Sequence, residues 1–306
     1  MNGIRRIAGL DRDVTRVMLL ALLSLVGALL GTNVAVASAQ TTICSGTLEK
    51  PGVLVGTYSG SVSIEGACAV DAGSALVEGN LTVRPDATLE AAYGLDDKTG
   101  TGKSELTVAG NVLVLNGATL LLGCEAGHFA CLDDPDPGEA TLSSKGAIGG
   151  SLIAWHPLGV VVHFSDIGKS FYLAGGGGGE KCESAGAFAQ FYFPVYSDLE
   201  DTTVGGNVRL SGLRSCWLGV IRLDVAGNVS VVNDQLDDPD AIEILSNTIE
   251  GNLSCWADSN AWDSGDITES LYPREPELNT VHGMRFGQCV HSSPLDEGEG
   301  DGTNPF

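Results

Sequence analysis

The feature that most constrains this chain is a short phrase that recurs along it, an aliphatic residue followed by x-Gly-Asn and a second aliphatic residue. The copies are Val77-Glu78-Gly79-Asn80-Leu81, Val108-Ala109-Gly110-Asn111-Val112, Ile148-Gly149-Gly150-Ser151-Leu152, Val204-Gly205-Gly206-Asn207-Val208, Val225-Ala226-Gly227-Asn228-Val229 and Ile249-Glu250-Gly251-Asn252-Leu253, with Ile64-Glu65-Gly66 read as a degenerate seventh. Alternating aliphatic residues punctuated by Gly-Asn are typical of short strands joined by turns. Recurrence of one phrase indicates that one small structural unit is repeated.

The spacing of the copies sets the size of that unit. Asn207, Asn228 and Asn252 lie 21 and 24 residues apart, and we interpret the 40 residues from Asn111 to Ser151 as about two units. A unit this short cannot bury its own apolar face, whereas stacked units can. Three short strands and three bends fit one unit, so the sequence predicts an all-β, right-handed parallel β-helix with loop insertions. Gly and Asn tolerate left-handed backbone angles, so we interpret Gly-Asn as a sharp bend.

Two other architectures were weighed against the β-helix. A β-sandwich also contains many short strands, but it does not require one phrase at a fixed offset. A leucine-rich repeat requires leucines at its own spacing and a helix in each unit, and neither is visible. Between residues 159 and 201 no clear phrase is visible, so the path of the coils is not predicted there.

The phrase and the closing Asn279-Thr280-Val281-His282-Gly283, with Gly287-Gln288-Cys289 after it, resemble secreted bacterial β-helix proteins of the pectate-lyase-like superfold. They are especially similar to small, uncharacterised actinobacterial members, and the likeness spans roughly residues 44–290. The resemblance implies the fold far more than a function, because such members mostly lack an assigned activity. Many enzymes of the superfold cleave acidic polysaccharides, which makes a carbohydrate-active enzyme an alternative function.

The first residues indicate export. Arginines precede an apolar stretch over residues 17–30, and Ala37-Ser38-Ala39 supplies a small-x-small cleavage signature. We therefore expect a signal peptide over residues 1–39, a β-helix domain over 40–290, a disordered acidic, Gly-rich tail over 291–306, and secretion. A membrane anchor is the alternative, but the apolar stretch is short for a bilayer span, and we expect no membrane span after cleavage.

The charge balance excludes some partners. The formal net charge is −23, and the Arg-rich start makes the remainder more acidic still. Such a surface repels phosphate backbones and anionic lipid, so we expect no nucleic-acid partner.

The cysteine count also favours an oxidising compartment. All eight lie beyond the signal segment, and an even number favours disulfides. The disulfide candidates are Cys44, Cys68, Cys124, Cys131, Cys182, Cys216, Cys255 and Cys289. Cys124 and Cys131 can close a small loop, and Cys255 with Cys289 can staple the C-terminal end. The spacing of Cys124, His128 and Cys131 also resembles half a zinc site, but it lacks a clear fourth ligand, so we favour disulfides.

Three segments interrupt the repeat. The acidic stretches 132–137 and 236–240 offer clustered carboxylates to calcium, but their spacing does not match a helix-loop-helix calcium loop and we interpret them as solvated loops. Calcium is thus the one candidate cofactor, and none is expected. Gly175 to Gly179 is interpreted as a flexible connector, because no Lys-Ser/Thr follows it as in a phosphate cradle.

We searched for a catalytic constellation on the strand that the copies share. A lyase requires carboxylates on neighbouring coils with a base, and a hydrolase requires paired carboxylates. The outward column contains no acid and reads Thr82, Leu113, Ile153, Arg209, Ser230 and Ser254. A second column is formed by the residue before the Gly of each copy. Its two acids, Glu78 and Glu250, belong to the first and the last copy and are therefore far apart.

Other charged residues gave no site either. Arg209 and Arg222 with Asp224 are interpreted as a surface ion pair, and His156 and His163 have no identifiable partners. The phrase covers one outward strand of each unit and does not extend to the other strands. No catalytic or metal-ligating residue is therefore assigned.

An aromatic segment supplies the one binding hypothesis. If Phe191 to Tyr196 is a strand, alternation places Tyr192 and Tyr196 on one exposed face, where they could stack on sugar rings. We favour the alternative, in which an inserted loop covers the coil and the tyrosines pack beneath it.

Taken together, these patterns favour a non-enzymatic, extracellular structural or surface-interaction protein. A calcium-dependent polysaccharide lyase-like enzyme and a glycan-binding module are the alternatives. The expected partner is an extracellular polysaccharide or a cell-surface component.

Overall fold

The computed structural model describes residues 41–238, 242–259, 261–262 and 278–290. The signal segment 1–39 and the tail 291–306 that the sequence predicts lie outside these residues. Within them, the strands of successive coils pair in parallel and build a right-handed β-helix with three sheets. The predicted fold class is confirmed, and the structure is neither a β-sandwich nor a leucine-rich repeat.

Each coil contributes one strand to each sheet in chain order, and we number the sheets accordingly. Sheet 1 contains Gly56–Tyr58, Ala75–Val77, Leu106–Val108, Gly146–Ile148, Ser165–Ile167, Thr203–Val204, Asp224–Val225, Thr248–Ile249 and Thr280–Val281. Sheet 2 contains Thr42–Gly46, the first part of Val62–Ala69, Leu81–Val83, Val112–Val114, Leu152–Trp155, Phe171–Ala174, Val208–Ser211, Val229–Val232, Leu253–Trp256 and Arg285–Gly287. Sheet 3 contains Gly52–Val53, the last part of Val62–Ala69, Thr88–Ala91, Thr119–Leu122, Gly159–Val162, Ser197–Glu200, Leu218–Ile221, Ile242–Leu245 and Ala261–Trp262.

The remaining elements are small. A separate pair of strands, Arg214–Ser215 and Gln235–Leu236, joins two coils at the corner between sheets 2 and 3, and short 3-10 helices span Pro137–Glu139, Gly186–Gln190 and Gln288–Val290.

Alternation along each strand places an aliphatic column inside the coil. The first residue of the phrase, such as Val77 or Val225, ends a strand of sheet 1 and is fully buried. The residue after the Asn, such as Leu81 or Val229, begins a strand of sheet 2 and is also buried. These residues form one apolar cluster that continues from coil to coil, and its burial is the main driving force for stacking.

The Asn of the phrase forms a ladder between coils. Asn207 Oδ1 accepts a hydrogen bond from the backbone N–H of Asn228 at 2.9 Å, and Asn228 Oδ1 accepts one from that of Asn252 at 2.8 Å. Asn80 and Asn111 make the same contact at 2.8 Å. Serine hydroxyls take this role where the chain has Ser61, Ser151 and Ser170.

The chain bends at Gly-Asn between sheets 1 and 2 as predicted, but the Gly is required by close packing and not by a left-handed backbone angle. Neither Gly227 nor Asn228 has a positive φ. A Cβ at Gly227 would lie 2.5 Å from Asn207 Oδ1 and 2.6 Å from the carbonyl oxygen of Gly206. Glycine is therefore required at this position, because any side chain would collide with the asparagine ladder of the preceding coil.

The ladder corrects the coil lengths. Uninterrupted coils measure 19, 21 and 24 residues, so the predicted range of 21–24 was slightly narrow. The 40 residues from Asn111 to Ser151 are one coil with an insertion and not two units. Ile64 is not a further copy, because it pairs with Val83 in sheet 2.

A coil also passes through the segment where no phrase was visible. Ile167 pairs with Ile148 and Val204 in sheet 1, and Phe171 pairs with Leu152 and Val208 in sheet 2. Ser170 stands in the Asn position of the ladder.

Insertions cover the outer face of sheet 3 over its central strands, from Thr88–Ala91 to Leu218–Ile221, and these strands are buried on both faces. A second apolar cluster lies there, formed by Ala92, Leu121, Cys124, Phe129, Cys131, Val161, Phe188, Val195, Tyr196, Cys216, Trp217, Ile221 and Leu245. Sheet 2 keeps an outer face on which several large apolar side chains are exposed.

The run from Gly175 to Gly179 is an ordered strap, so the flexible-connector interpretation was wrong. All five glycines have positive φ, between 66° and 110°. The N–H of Gly177 donates to the carbonyl oxygen of Pro157, and that of Gly179 to Arg214. A Cβ at Gly177 would lie 2.2 Å from the carbonyl oxygen of Arg214, so the strap accepts no side chain there.

All eight cysteines are paired, which confirms the disulfide prediction. The pairs are Cys44–Cys68, Cys124–Cys131, Cys182–Cys216 and Cys255–Cys289. The small loop and the C-terminal staple are therefore as predicted, and the zinc alternative at Cys124 and Cys131 is excluded because both sulfurs are bonded. Among the described residues, no helix is long and apolar enough to cross a membrane.

Candidate functional site

The two tyrosines of the binding hypothesis do not share a face. Residues 191–196 form turns and not a strand, so the alternation argument was wrong. Tyr192 is 92% exposed at a positive φ of 61°. Tyr196 is 1% exposed and packs edge-on against Phe188. The loop therefore covers Tyr196, and the two side chains form no common platform.

An exposed apolar patch lies instead on the outer face of sheet 2. Ile153 pairs with Leu113 on one side and with Tyr172 on the other, and Tyr172 pairs with Arg209 of the following coil. Trp155 lies two residues beyond Ile153 on the same strand face and is 58% exposed. We call Leu113, Ile153, Trp155, Tyr172 and Arg209 the aromatic row. Leu113, Ile153 and Arg209 belong to the outward column read from the sequence, to which the structure adds Tyr172.

A charged cluster lies on the outer side of sheet 3, beneath the insertions. Asp198 and Glu200 point outward from one strand, because Leu199 between them is in the core. His163 follows the neighbouring strand, whose last residue Val162 pairs with Leu199. Asp201 directly follows Glu200, whereas Glu125 and Arg222 come from the coils on either side, so four coils contribute side chains. We call Glu125, His163, Asp198, Glu200, Asp201 and Arg222 the charged cluster.

Hydrogen bonds and ion pairs connect the members of the cluster. His163 Nε2 lies 3.0 Å from Asp198 Oδ2, and His163 Nδ1 lies 3.8 Å from Glu200 Oε2. The guanidinium of Arg222 donates to both carboxylate oxygens of Asp201 and to Glu200 Oε2, each at 2.7 Å. Arg222 therefore does not form the ion pair with Asp224 that the sequence suggested, and Arg209 lies on sheet 2.

Burial sets the protonation of the cluster. Burial raises the pKa of Glu125 to about 8, reinforced by its hydrogen bond to Asp201. Burial also raises the pKa of Glu200, to about 7, against the attraction of His163 and Arg222. For His163, burial lowers the pKa, but the negative charges of Asp198 and Glu200 outweigh it, and the pKa rises to about 9.

The small disulfide loop covers this cluster. Cys124–Cys131 closes the loop that carries Glu125 and Phe129. The ring of Phe129 stacks on the imidazole of His163, with centroids 4.5 Å apart and planes 14° from parallel. The stack and the bond to Asp198 hold the imidazole in one orientation, while Asp201 and Arg222 remain partly exposed at the rim.

The acidic stretch 132–137 has a structural role. Asp133 accepts hydrogen bonds from the backbone N–H groups of Gly94 and Leu95, at 2.7 and 2.8 Å. Asp134 is buried and accepts from Leu142, Thr141 and Asp136, which lowers the pKa of its carboxyl. These carboxylates organise the insertion, so the solvated-loop interpretation does not describe Asp134. Calcium binding at either acidic stretch stays untested.

The sequence did not reveal the charged cluster, because the aligned copies of the phrase cover different strands of the coil from those that carry the cluster. The phrase lies on sheets 1 and 2, whereas the cluster lies on sheet 3. Asp198 and Glu200 lie on sheet 3, in the segment without a visible phrase, and His163 meets its partners only through strand pairing. One usable signal was present: in Asp198-Leu199-Glu200 two acidic residues flank an apolar one, as on a strand with one buried face.

Comparison with known proteins adds no relative. The chain matches no model of a protein family, no curated protein and no solved structure.

Proposed function

We propose that this protein is an extracellular surface-interaction protein that binds an uncharged polysaccharide along the outer face of sheet 2. The aromatic row carries the proposal. It exposes Trp155 and Tyr172 on neighbouring strands, whereas the insertions cover the corresponding face of sheet 3. Large exposed apolar groups on a rigid surface are typical of interaction sites.

The composition of the row suits a sugar chain. Aromatic rings pack against the apolar faces of sugar rings, and a neighbouring polar rim satisfies the hydroxyls. Arg209 pairs in register with Tyr172, and Ser230 pairs with Arg209 in the next coil, so donors follow the apolar residues along the helix axis. Strands in a sheet are about 4.8 Å apart, so the row presents a straight, extended surface.

The charge of the protein selects the class of polymer. A formal charge of −23 repels uronate-containing chains at long range. The proposal therefore favours neutral glucans and chitin over pectin and alginate. Four disulfides fit an extracellular location, and secretion and membership in the pectate-lyase-like superfold are parts of the same proposal.

A pull-down with insoluble cellulose, chitin, β-1,3-glucan and pectin tests the proposal. We expect retention on at least one neutral polymer and weaker retention on pectin. Loss of each aromatic contact costs about 1 kcal/mol, so Trp155→Ala and Tyr172→Ala each weaken binding several-fold.

Tyr192, an exposed aromatic residue on the inserted loop and outside sheet 2, serves as the control. Tyr192→Ala leaves binding unchanged if the row is the site. If retention of the protein on the polymer depends on Tyr192, the binding site lies on the inserted loop and not on the aromatic row. Absence of binding to every polymer would reject the proposal.

A second candidate function is a carbohydrate-active enzyme at the charged cluster. It is favoured by the carboxylates of Glu125, Glu200 and Asp201, which converge from neighbouring coils. Incubation with polygalacturonate and alginate, with and without calcium, tests lyase activity by the absorbance of unsaturated product. Reducing-end release from neutral glucans tests hydrolysis. Activity that Glu200→Gln abolishes and Glu250→Gln retains would establish this candidate.

A further inference from the structure

We propose that the charged cluster is a binding site for a divalent transition-metal ion, with His163 Nδ1 as its nitrogen ligand. The ion would lie between the small disulfide loop and sheet 3. This inference is independent of polysaccharide binding by the aromatic row.

The first support is an unsatisfied nitrogen. His163 is 3% exposed, and its Nδ1 has no hydrogen-bond partner within the described ranges of the chain. A buried polar atom left unpaired is costly, so its presence requires an explanation. An ion at this atom supplies one, because Nδ1 faces Glu200 across a gap of 3.8 Å, which is wider than a hydrogen bond.

The second support is the other nitrogen of the same ring. His163 Nε2 is bonded to Asp198, which is also almost fully buried. Metal-binding histidines usually donate their other N–H to a carboxylate, which fixes the tautomer and the ring orientation. The stack of Phe129 on the imidazole adds a second restraint on that orientation. Nδ1 is therefore held in place before any ion arrives.

The third support is the set of oxygen ligands. Glu125, Asp201 and His163 each bring one ligand atom within 4.8 Å of the others, and so do Asp198, Glu200 and His163. Glu125 Oε1 is a further buried atom without a partner in the part of the chain that the structure describes. The cluster contains four carboxyl groups, those of Glu125, Asp198, Glu200 and Asp201, against two basic groups, His163 and Arg222, so a divalent cation that displaces the protons of its ligands would offset the excess of acidic groups.

The ligand types select the class of metal. One imidazole with carboxylates suits Zn²⁺ and similar transition ions, whereas calcium takes oxygen ligands alone. The third group of potential ligands, Cys182, Cys216 and Asp238, is not available, because Cys182 and Cys216 form a disulfide. The proposal therefore assigns His163 Nδ1, Glu125 and Asp201 as ligands, with Glu200 facing Nδ1 at 3.8 Å as a further oxygen donor and Arg222 orienting Asp201.

Titration of the chelator-treated mature protein with Zn²⁺ and with Co²⁺ tests the proposal. We expect one ion per chain, a visible Co²⁺ absorption typical of nitrogen and oxygen ligands, and no competition by a tenfold excess of Ca²⁺. Glu125→Gln, a substitution in the loop, is expected to weaken binding at least tenfold without unfolding the β-helix. His163→Ala is expected to abolish binding, with circular dichroism as the check on folding.

The chain offers a matched control on its surface. His282 and Glu250 form an exposed pair at 2.9 Å, which could bind metal weakly. His282→Ala must leave the affinity unchanged. Binding that His282→Ala removes and Glu125→Gln retains would overturn the proposal. So would absence of stoichiometric Zn²⁺ or Co²⁺ binding to the folded protein, or displacement by Ca²⁺.

Discussion

His163 and Asp198 meet across two neighbouring coils, with Nε2 and Oδ2 3.0 Å apart and both residues 3% exposed. Strand pairing alone creates this contact, since the two residues are 35 positions apart in the chain. It places a titratable group inside the covered face of sheet 3, and the stability of the fold should respond to pH there.

The first prediction is that the chelator-treated, metal-free protein becomes less stable as pH rises from 5 to 9.5. The pKa of His163 is raised from an ordinary 6.5 to about 9, so its contribution is complete below about pH 6.5 and is lost as pH rises through 9. The pKa values of Glu125 and Glu200 are raised to about 8 and 7, so the folded state holds more protons than the unfolded state above about pH 4.5. Asp234, with a pKa raised to about 7 by burial, acts in the same direction.

Denaturant unfolding at several pH values measures this effect. Glu125→Gln should flatten the decline between pH 5 and 8, because the glutamine does not titrate. A free energy of unfolding that increases over this range would contradict the electrostatic account of the cluster.

The second prediction concerns Arg222. Replacing it with Gln leaves Glu200 and Asp201 partly buried without their cation, and we expect a loss of about 1–3 kcal/mol at pH 7.5. The loss should shrink below pH 5, because Glu200, whose pKa is about 7 even beside Arg222, is then protonated. Arg209→Gln, an exposed arginine on sheet 2, is the control and should change stability by less than about 0.5 kcal/mol. If the two substitutions lower the free energy of unfolding equally, the ion pairs of Arg222 do not stabilise the fold.

The third prediction concerns the asparagine ladder. Asn228→Ala removes the acceptor of the Asn252 N–H, and we expect a loss of about 1 kcal/mol. Asn228→Ser should recover part of it, because serine hydroxyls fill this position at Ser151 and Ser170 of the same ladder. Thermal unfolding of the three proteins measures the order, and a serine variant less stable than the alanine variant would contradict it.

The fourth prediction concerns the glycine of the phrase. Gly227→Ala places a Cβ 2.5 Å from Asn207 Oδ1, so two coils must separate and about 1–3 kcal/mol is lost. Gly138→Ala is the control, since its Cβ has no atom nearer than 3.6 Å and its φ is not positive. If both variants unfold at the same denaturant concentration, close stacking is not the reason for the glycine.

The phrase was sufficient to predict the fold and much of sheets 1 and 2. Thr82, Leu113, Ile153, Arg209, Ser230 and Ser254 were placed correctly as one outward column, because a strand alternates sides whatever its neighbours are. The same alternation failed at Tyr192 and Tyr196, since a loop that packs on the coil is not a strand. The left-handed backbone angle predicted for Gly-Asn was also wrong. The glycine is needed for the close approach of Gly227 to Asn207, which exists only after the coils stack.

The sequence by itself determined the repeated coil, the apolar core and the pairing of its nearby cysteines, Cys124 with Cys131. These depend on contacts that are local or that recur at a regular interval. The tertiary structure alone decided which face is covered and which residues meet beneath the cover. Glu125, His163, Glu200 and Arg222 come from separate coils with insertions of unequal length between them. Their distances are therefore set by parallel register and loop packing, and no spacing in the sequence records them.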